Sequence, residues 1–371
     1  MKTKTERPVP LFSWFIPIDG DGAHIGTSLP ERNPTFEYLR KVVETAESGG
    51  LYSLLIPTRF VNGLFEERAP LAETWTMATA LAAVSNRIRF LVAVRPGFIS
   101  PGLFAQMASS LDAISNGRID INIVPGGIQG DFERLGETSD HNSRYDRAEE
   151  FIEACRRLWK EPEHVTFSGR FVKLNRALVS PSPAGDGPKF YLGGASESAL
   201  RLASRQSDVY LAWIQPLEKI ARHLERAREH FLVSGRKPVF GLRSHLVLRD
   251  TEDEAWDAAE KLISQADNIV KEQRKATFAG TNMVGQRSQI DRLPNHRLSS
   301  HLWNGISTVR VNCGTALVGT PEQVAHEILQ YWFLGIDEFI LSGFPHVEEC
   351  ERAIDQLIPL VRTLINRERS K

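Results

Sequence analysis

Short apolar runs alternate along this chain with longer stretches in which apolar residues return every third or fourth position. The first pattern reads as strands buried on both faces, the second as amphipathic helices. Strands are predicted over Pro10–Pro17, Tyr52–Ile56, Ile88–Val94, Arg118–Val124, Phe190–Leu192, Asp208–Trp213, Val239–Leu248 and Glu338–Leu341. Helices are predicted over Thr35–Glu47, Leu71–Val84, Pro101–Ile114, Tyr145–Trp159, from Ser196 to about Arg205, and over Leu217–Leu232, Glu252–Ala266, Pro321–Phe333 and Glu348–Leu364. In the first helix Phe36, Leu39, Val42, Val43 and Ala46 share a face, and Gly49-Gly50 stops it. Pro101 stands in a first turn, where its missing N–H costs nothing. Val165–Leu178 reads as a short hairpin.

Strand–helix alternation implies a parallel sheet, and eight units imply a closed TIM-type (β/α)8 barrel with insertions; an open doubly wound sheet is the alternative. Two stretches break the rhythm. Arg59–Pro70 follows the second strand. Residues 268–313 are polar, weakly periodic and rich in Lys, Arg and His. The expectation is one domain over 1–371 carrying a mobile lid at 268–313, with a solvated insertion as the alternative.

Composition narrows the partners. The 371 residues are 42% hydrophobic and 25% charged, with a formal net charge of −1, so neither nucleic acid nor an anionic membrane is expected as a general partner. Cys155, Cys313 and Cys350 lack metal-ligand spacing and suit a reducing compartment. The apolar run Leu11–Ile18 is too short for a signal-peptide core, and no stretch has the length of a membrane span, so a cytoplasmic location is expected. Dinucleotide, P-loop, zinc-protease, CxxC and GxSxG motifs are all missing from the sequence, and no metal is expected.

The candidate chemistry lies where strands end. Trp213, Arg243, Arg310 and His346 each follow or lie in an apolar run, and a parallel barrel gathers such positions at one mouth. Together they would make a cationic, aromatic pocket for a small anion. Arg243 is strand-internal and by alternation shares a face with His245. Buried, it needs an anionic partner, either a ligand or a structural Asp or Glu. Gly193-Gly194-Ala195-Ser196 joins a strand to a helix and would present backbone N–H groups to a phosphate, unless it is a plain turn. His141-Asn142-Ser143-Arg144-Tyr145 opens a helix; its residues either cap that helix or bind a phosphate. Asp19-Gly20-Asp21 reads as the loop after the first strand, at the barrel mouth.

These residues carry a resemblance to the bacterial luciferase-like flavin monooxygenases, and within them to the alkanesulfonate monooxygenases. It runs through Phe15-Ile16-Pro17, Leu55-Ile56-Pro57-Thr58, Phe90–Pro96, Ser115–Arg118, Tyr191–Ser196, Gly314–Gly319 and Leu341–His346. The resemblance implies reduced FMN from a separate NAD(P)H-dependent reductase, molecular oxygen as co-substrate, and cleavage of a C–S bond to an aldehyde and sulfite. It implies that Trp213, Arg243, His245, Arg310 and His346 surround the sulfonate and the reactive flavin. It places Asn122, Asp131, Arg144, Tyr145, Gly194, Ala195 and Ser196 on FMN, with Ser196 at the phosphate and Thr58 near the isoalloxazine ring. It also implies a homodimer or homotetramer.

The chain departs from that pattern in three places. The loop Arg59–Arg68 is longer than the family's and has no Cys, Asp19 stands where the family has a histidine, and Phe344 where it has a tyrosine. A longer polar loop and an added acid at Asp19 suggest a hydroxylated substrate, and the chain is similar to the sulfoquinovose monooxygenases. Alkanesulfonate, methanesulfonate and dimethylsulfone oxidation are the alternatives within the class. A coenzyme F420-dependent oxidoreductase and a non-catalytic flavin- or anion-binding barrel are the alternatives outside it.

Overall fold

Eight strands close into a parallel barrel in simple chain order. They are Leu11–Phe15 (β1), Ser53–Ile56 (β2), Arg89–Val94 (β3), Ile119–Ile123 (β4), Phe190–Gly193 (β5), Val209–Trp213 (β6), Phe240–Leu248 (β7) and Ile336–Ser342 (β8). Each pairs with the next, and β8 pairs with β1. The computed structural model describes residues 7–127, 129–279 and 294–371. The predicted TIM-type barrel is the observed one, and the open sheet is excluded by the β6–β7 and β8–β1 ladders that close it.

Alternation along the strands sorts side chains between two cores. On β1, Phe12 and Trp14 point outward into the layer between sheet and helices, while Ser13 and Phe15 point inward. Phe15, Leu55, Leu91, Tyr191, Leu211 and Ile340 fill the barrel interior. Gly241 is part of that packing: a Cβ there would lie 2.4 Å from Leu211 Cδ2. The helix caps follow the sequence signals. Thr35, Ser100, Ser196 and Thr251 each accept a first-turn backbone N–H, and Thr320 forms a capping box with Gln323.

The departures are local. The helix predicted from Tyr145 starts at His141, because Asp140 accepts from the N–H groups of Asn142 and Ser143. A short helix, Gln129–Arg134, precedes it. The C-terminal helix runs as His346–Arg352, a wide turn Ala353–Leu357, and Ile358–Arg369. Pro359 lacks the N–H that a regular ladder needs, and the widened turn lies just before it.

The stretch 268–313 is more ordered at its ends than its weak periodicity suggests. Asn268–Ala279 is a helix. Its buried Arg274 donates to the carbonyls of Val309 at 3.1 Å and Phe65 at 2.7 Å. Trp303, Ile306 and Val309 are buried with Ile25, Leu64 and Phe65. Residues 280–293, the middle of the expected lid, lie outside the described residues. Beyond them, Ala316–Gly319 pairs parallel with the second half of β7, along the edge whose first half is taken by β6. Strand β7 therefore hands one edge from one neighbour to another. Among the described residues no helix is long and apolar enough to cross a membrane, and no group of His, Cys, Asp and Glu is arranged to hold a metal.

Among the ionisable groups inside the barrel is Glu338. Glu338 accepts from Ser13 Oγ at 2.8 Å and Tyr191 Oη at 3.1 Å, and Ser53 Oγ donates to Ser13 Oγ at 2.9 Å. Burial pushes its carboxyl up from 4.5 to about 7. Its proton is bound more tightly in the folded state. Stability is therefore full below the unfolded value and falls as pH rises toward the folded one, by on the order of 3 kcal/mol. Glu338→Gln removes this titration. The variant is expected to match the parent in thermal unfolding near pH 5 and to exceed it near pH 8. Parallel melting curves for the two at both pH values would count against a titrating Glu338.

Candidate active site

The barrel mouth opens on a cleft of about 1380 Å³, counting space open to solvent. One wall is the strand-to-helix turn after β5. Gly194 there has φ +139°, and a Cβ would sit 2.7 Å from Ala199 Cβ, so the turn requires glycine. Ser196 caps the helix Glu197–Gln206 through a bond from Ala199 N at 3.3 Å. The Tyr145 hydroxyl faces the same turn, where Ser196 offsets part of the rise that burial imposes on it. Tyr210 donates to the Gly194 carbonyl and contacts His223 Nε2 at 2.8 Å. Burial pushes His223 down to about 4, so it is neutral at pH 7 and its Nε2–H donates to the Tyr210 oxygen. This turn, with a helix N-terminus behind it, fits a phosphate.

The opposite wall is cationic. Arg243 and Arg310 are buried, and their guanidinium carbons lie 4.6 and 5.2 Å from the ring centre of Phe15. Arg243 donates to Ser342 Oγ at 2.7 Å and to the Ser244 carbonyl. Among the described residues it has no carboxylate partner, which removes the structural ion pair as its reason for burial. The Nε of Arg310 is buried without a hydrogen-bond partner, and its nearest acid is Asp19 at 4.0 Å. Burial disfavours the charged form of both groups, and for Arg310 the neighbouring Arg59 adds to this. An anion would reverse both effects. Arg59 and Arg95 also line the cleft, so four arginines and no Asp or Glu face it among the described residues.

The predicted site residues divide in two. Thr58, Asn122, Tyr145, Gly194, Ala195, Ser196, Trp213, Arg243 and Arg310 all line this cleft. Five others stand behind or beside it. His245 shares the inward face with Arg243, but Ser342 Oγ meets its Nδ1 at 2.7 Å and the Cys313 carbonyl its Nε2 at 3.0 Å. Burial and the charges of Arg243 and Arg310 hold it neutral, so it supports Arg243 from behind. His346 opens a helix, with Nδ1 3.1 Å from Asp21 and Nε2 buried without a partner. Asp19, expected at the substrate, instead accepts from Arg59 Nε at 2.8 Å and Gly63 N at 3.1 Å. Arg144 packs its guanidinium 4.5 Å from the Phe132 ring centre and donates to the Ser139 carbonyl. Asp131 belongs to an adjoining chamber. Arg310 reaches the cleft from a loop after the short helical turn Gly305–Thr308, not from a strand end as its apolar lead suggested.

Sequence reasoning missed Arg59, Arg95, Gln215, His223, Asn312 and Cys313 on the cleft wall. Arg95 carried a usable signal, since it follows β3 directly, as Trp213 ends β6.

Comparison with known proteins places this geometry. A family model described as luciferase-like monooxygenase matches residues 11–338. Among solved structures, the riboflavin lyase RcaE with modified FMN and riboflavin is 20% identical, with a TM-score of 0.78 over 96% of this chain and 92% of that one. The long-chain alkane monooxygenase LadA is 18% identical, with a TM-score of 0.76 over 96% and 92%. An F420-dependent secondary alcohol dehydrogenase in complex with an F420-acetone adduct is 16% identical, with a TM-score of 0.69 over 96% and 100%.

Proposed function

Because this chain belongs to the luciferase-like monooxygenase family, we propose that it is an FMNH2-dependent monooxygenase that cleaves the C–S bond of an organosulfonate, with sulfoquinovose as the preferred substrate. The products are the 6-oxo sugar and sulfite, one oxygen atom ending in the aldehyde and the other in water. The observation that carries this reading is the cleft wall, which among the described residues has four arginines and no acid, facing a turn suited to phosphate. Bound reduced flavin supplies the electrons that activate oxygen, delivered to it by a separate NAD(P)H-dependent reductase.

The protein's own residues bind, orient and keep water out. Ser196, Gly194, Ala195 and Tyr145 hold the flavin phosphate at the helix N-terminus, and Asn122 and Thr58 line the cleft beyond it. Arg243 and Arg310 hold the sulfonate, their planes fixed against Phe15. Ser342 and His245 keep Arg243 aimed. Trp213, Phe15 and Leu211 make the apolar lining that keeps water from the reacting carbon. Gly194→Val puts branched carbon against Ala199 and Tyr145, and is expected to weaken FMN binding at least ~10-fold by flavin fluorescence titration. Unchanged affinity would move the phosphate elsewhere.

The deciding assay is sulfite release with FMN, NADH, oxygen and a generic flavin reductase, from sulfoquinovose and from a linear alkanesulfonate in parallel. Sulfite from the sugar alone supports the full reading, and sulfite from the alkane alone removes the sugar. An F420-dependent hydride transfer needs no oxygen, so turnover that persists anaerobically with reduced F420 would replace the monooxygenase reading.

A further inference from the structure

A second chamber of about 990 Å³ adjoins the cleft and shares Arg59, Arg95 and Asn312 with it as a common wall. Most of its charges are already committed. Arg134 is paired with Glu67, Arg59 with Asp19, and Arg274 with backbone carbonyls. Two groups remain. Arg95 is clamped between two rings, its guanidinium carbon 5.1 Å from the centre of Phe60 and 5.2 Å from that of Phe132. Its Nη1 donates to the Gly126 carbonyl at 2.9 Å, and its Nε is buried without a partner. Asp131 projects from the short helix Gln129–Arg134 into the same chamber. Among the described residues its carboxylate has neither a hydrogen-bond nor an ion-pair partner.

Arg95 and Asp131 feel each other's charge without touching. The carboxylate opposes the loss of charge at Arg95, and the guanidinium opposes the rise that burial imposes on Asp131. Yet they are not within ion-pair distance. A group held by both must accept from the guanidinium and donate to the carboxylate. A hydroxyl does both at once, and a vicinal diol does so with two-point geometry. An aliphatic chain would leave both groups dry and unpaired, which is costly. A second anion would be repelled by Asp131. The aromatic clamp fixes Arg95, so the pair is set before a ligand arrives.

We propose that this chamber is a hydroxyl-recognition subsite in which Arg95 and Asp131 bind a diol on the substrate while its anionic end lies at Arg243 and Arg310. The subsite rests on the proposed function for the anionic end only. It assigns to Asp131 a substrate role in place of the flavin role that the family resemblance implied. Through it, the enzyme discriminates by the body of its substrate as well as by its charge.

The test is equilibrium binding to the full-length protein, read without turnover through the fluorescence of Trp213 and its neighbours or by calorimetry. Two matched pairs serve as probes: 6-deoxy-6-sulfoglucose with cyclohexylmethanesulfonate, and glucose 6-phosphate with cyclohexylmethyl phosphate. The hydroxylated member of a pair is expected to bind at least ~10-fold more tightly. Asp131→Asn is expected to erase that preference while leaving the cyclohexyl member's affinity within about threefold, and Arg95→Met to erase the preference too, while weakening both members alike because Arg95 also belongs to the cationic cleft wall. If the preference appears only in the phosphate pair and is lost in the variants, the subsite stands and the sulfonate reading falls. If the hydroxylated probes gain nothing over the cyclohexyl ones, the subsite is overturned. A preference that survives both substitutions, or no binding by any probe, overturns it equally.

Discussion

Arg243→Ala is expected to lower kcat/KM for sulfite release by at least ~10³-fold while the protein still folds. Arg243 sits on the cleft wall and among the described residues has no carboxylate partner. Its removal deletes one of the two buried guanidinium groups that Phe15 holds in place. Of the pair packed on Phe15 it leaves only Arg310, which is partly spent on Asp19. Arg243→Lys keeps the charge but not the fork, so it should recover part of KM and little of kcat. Near-UV circular dichroism and denaturant midpoints on the same preparations separate loss of function from loss of fold. Turnover at the parent rate in the Ala variant would take Arg243 out of the mechanism.

The second large effect is expected at Asp19. Its carboxylate ties Arg59, the Gly63 backbone and, more loosely, Arg310 to the end of β1. Asp19→Ala leaves two buried cations facing each other, and Arg59 already disfavours the charge on Arg310. Loss of one partner from a buried ion pair costs about 3–5 kcal/mol. The loop that carries Arg59 should loosen with it, so the denaturant midpoint falls and KM for any anion rises. Asp19→Asn keeps the shape and the bond from Gly63 but loses the charge, and should fall between the two. A parent-like midpoint in the Ala variant would mean that Arg59 has another anchor.

The barrel was readable because its strands are buried on both faces and its helices on one, a contrast that hydrophobic period reports directly. Trp213 and Ser196 were readable for the same reason, since they stand at the ends of well-marked elements. Depth was not readable. Alternation put His245 on Arg243's face, and it is there, but only the fold shows both ring nitrogens taken by Ser342 and Cys313. Nor was pairing readable across distance. Asp19 was visible as an acid in the first loop, but its partner lies 40 residues on, so a ligand and a guanidinium were equally good reasons for it. The strand Ala316–Gly319 has only four residues, too few to show a period, and stands just beyond the aperiodic stretch 268–313. Arg310 was therefore found for its charge and misplaced by its neighbours.

The handover on the edge of β7 makes the two buried arginines of the cleft genetically separable. Arg243 lies on the part of β7 paired with β6, while Arg310 arrives on the chain between β7 and Ala316–Gly319, which rejoins the sheet at His245–Leu248. A chimera that keeps the barrel and exchanges residues 249–319 with a relative would retain the flavin turn, Trp213 and Arg243. It would import a new Arg310, Asn312 and Cys313 in one piece. Specificity in this architecture can thus be transplanted as a cassette, with four strand pairings as its docking register.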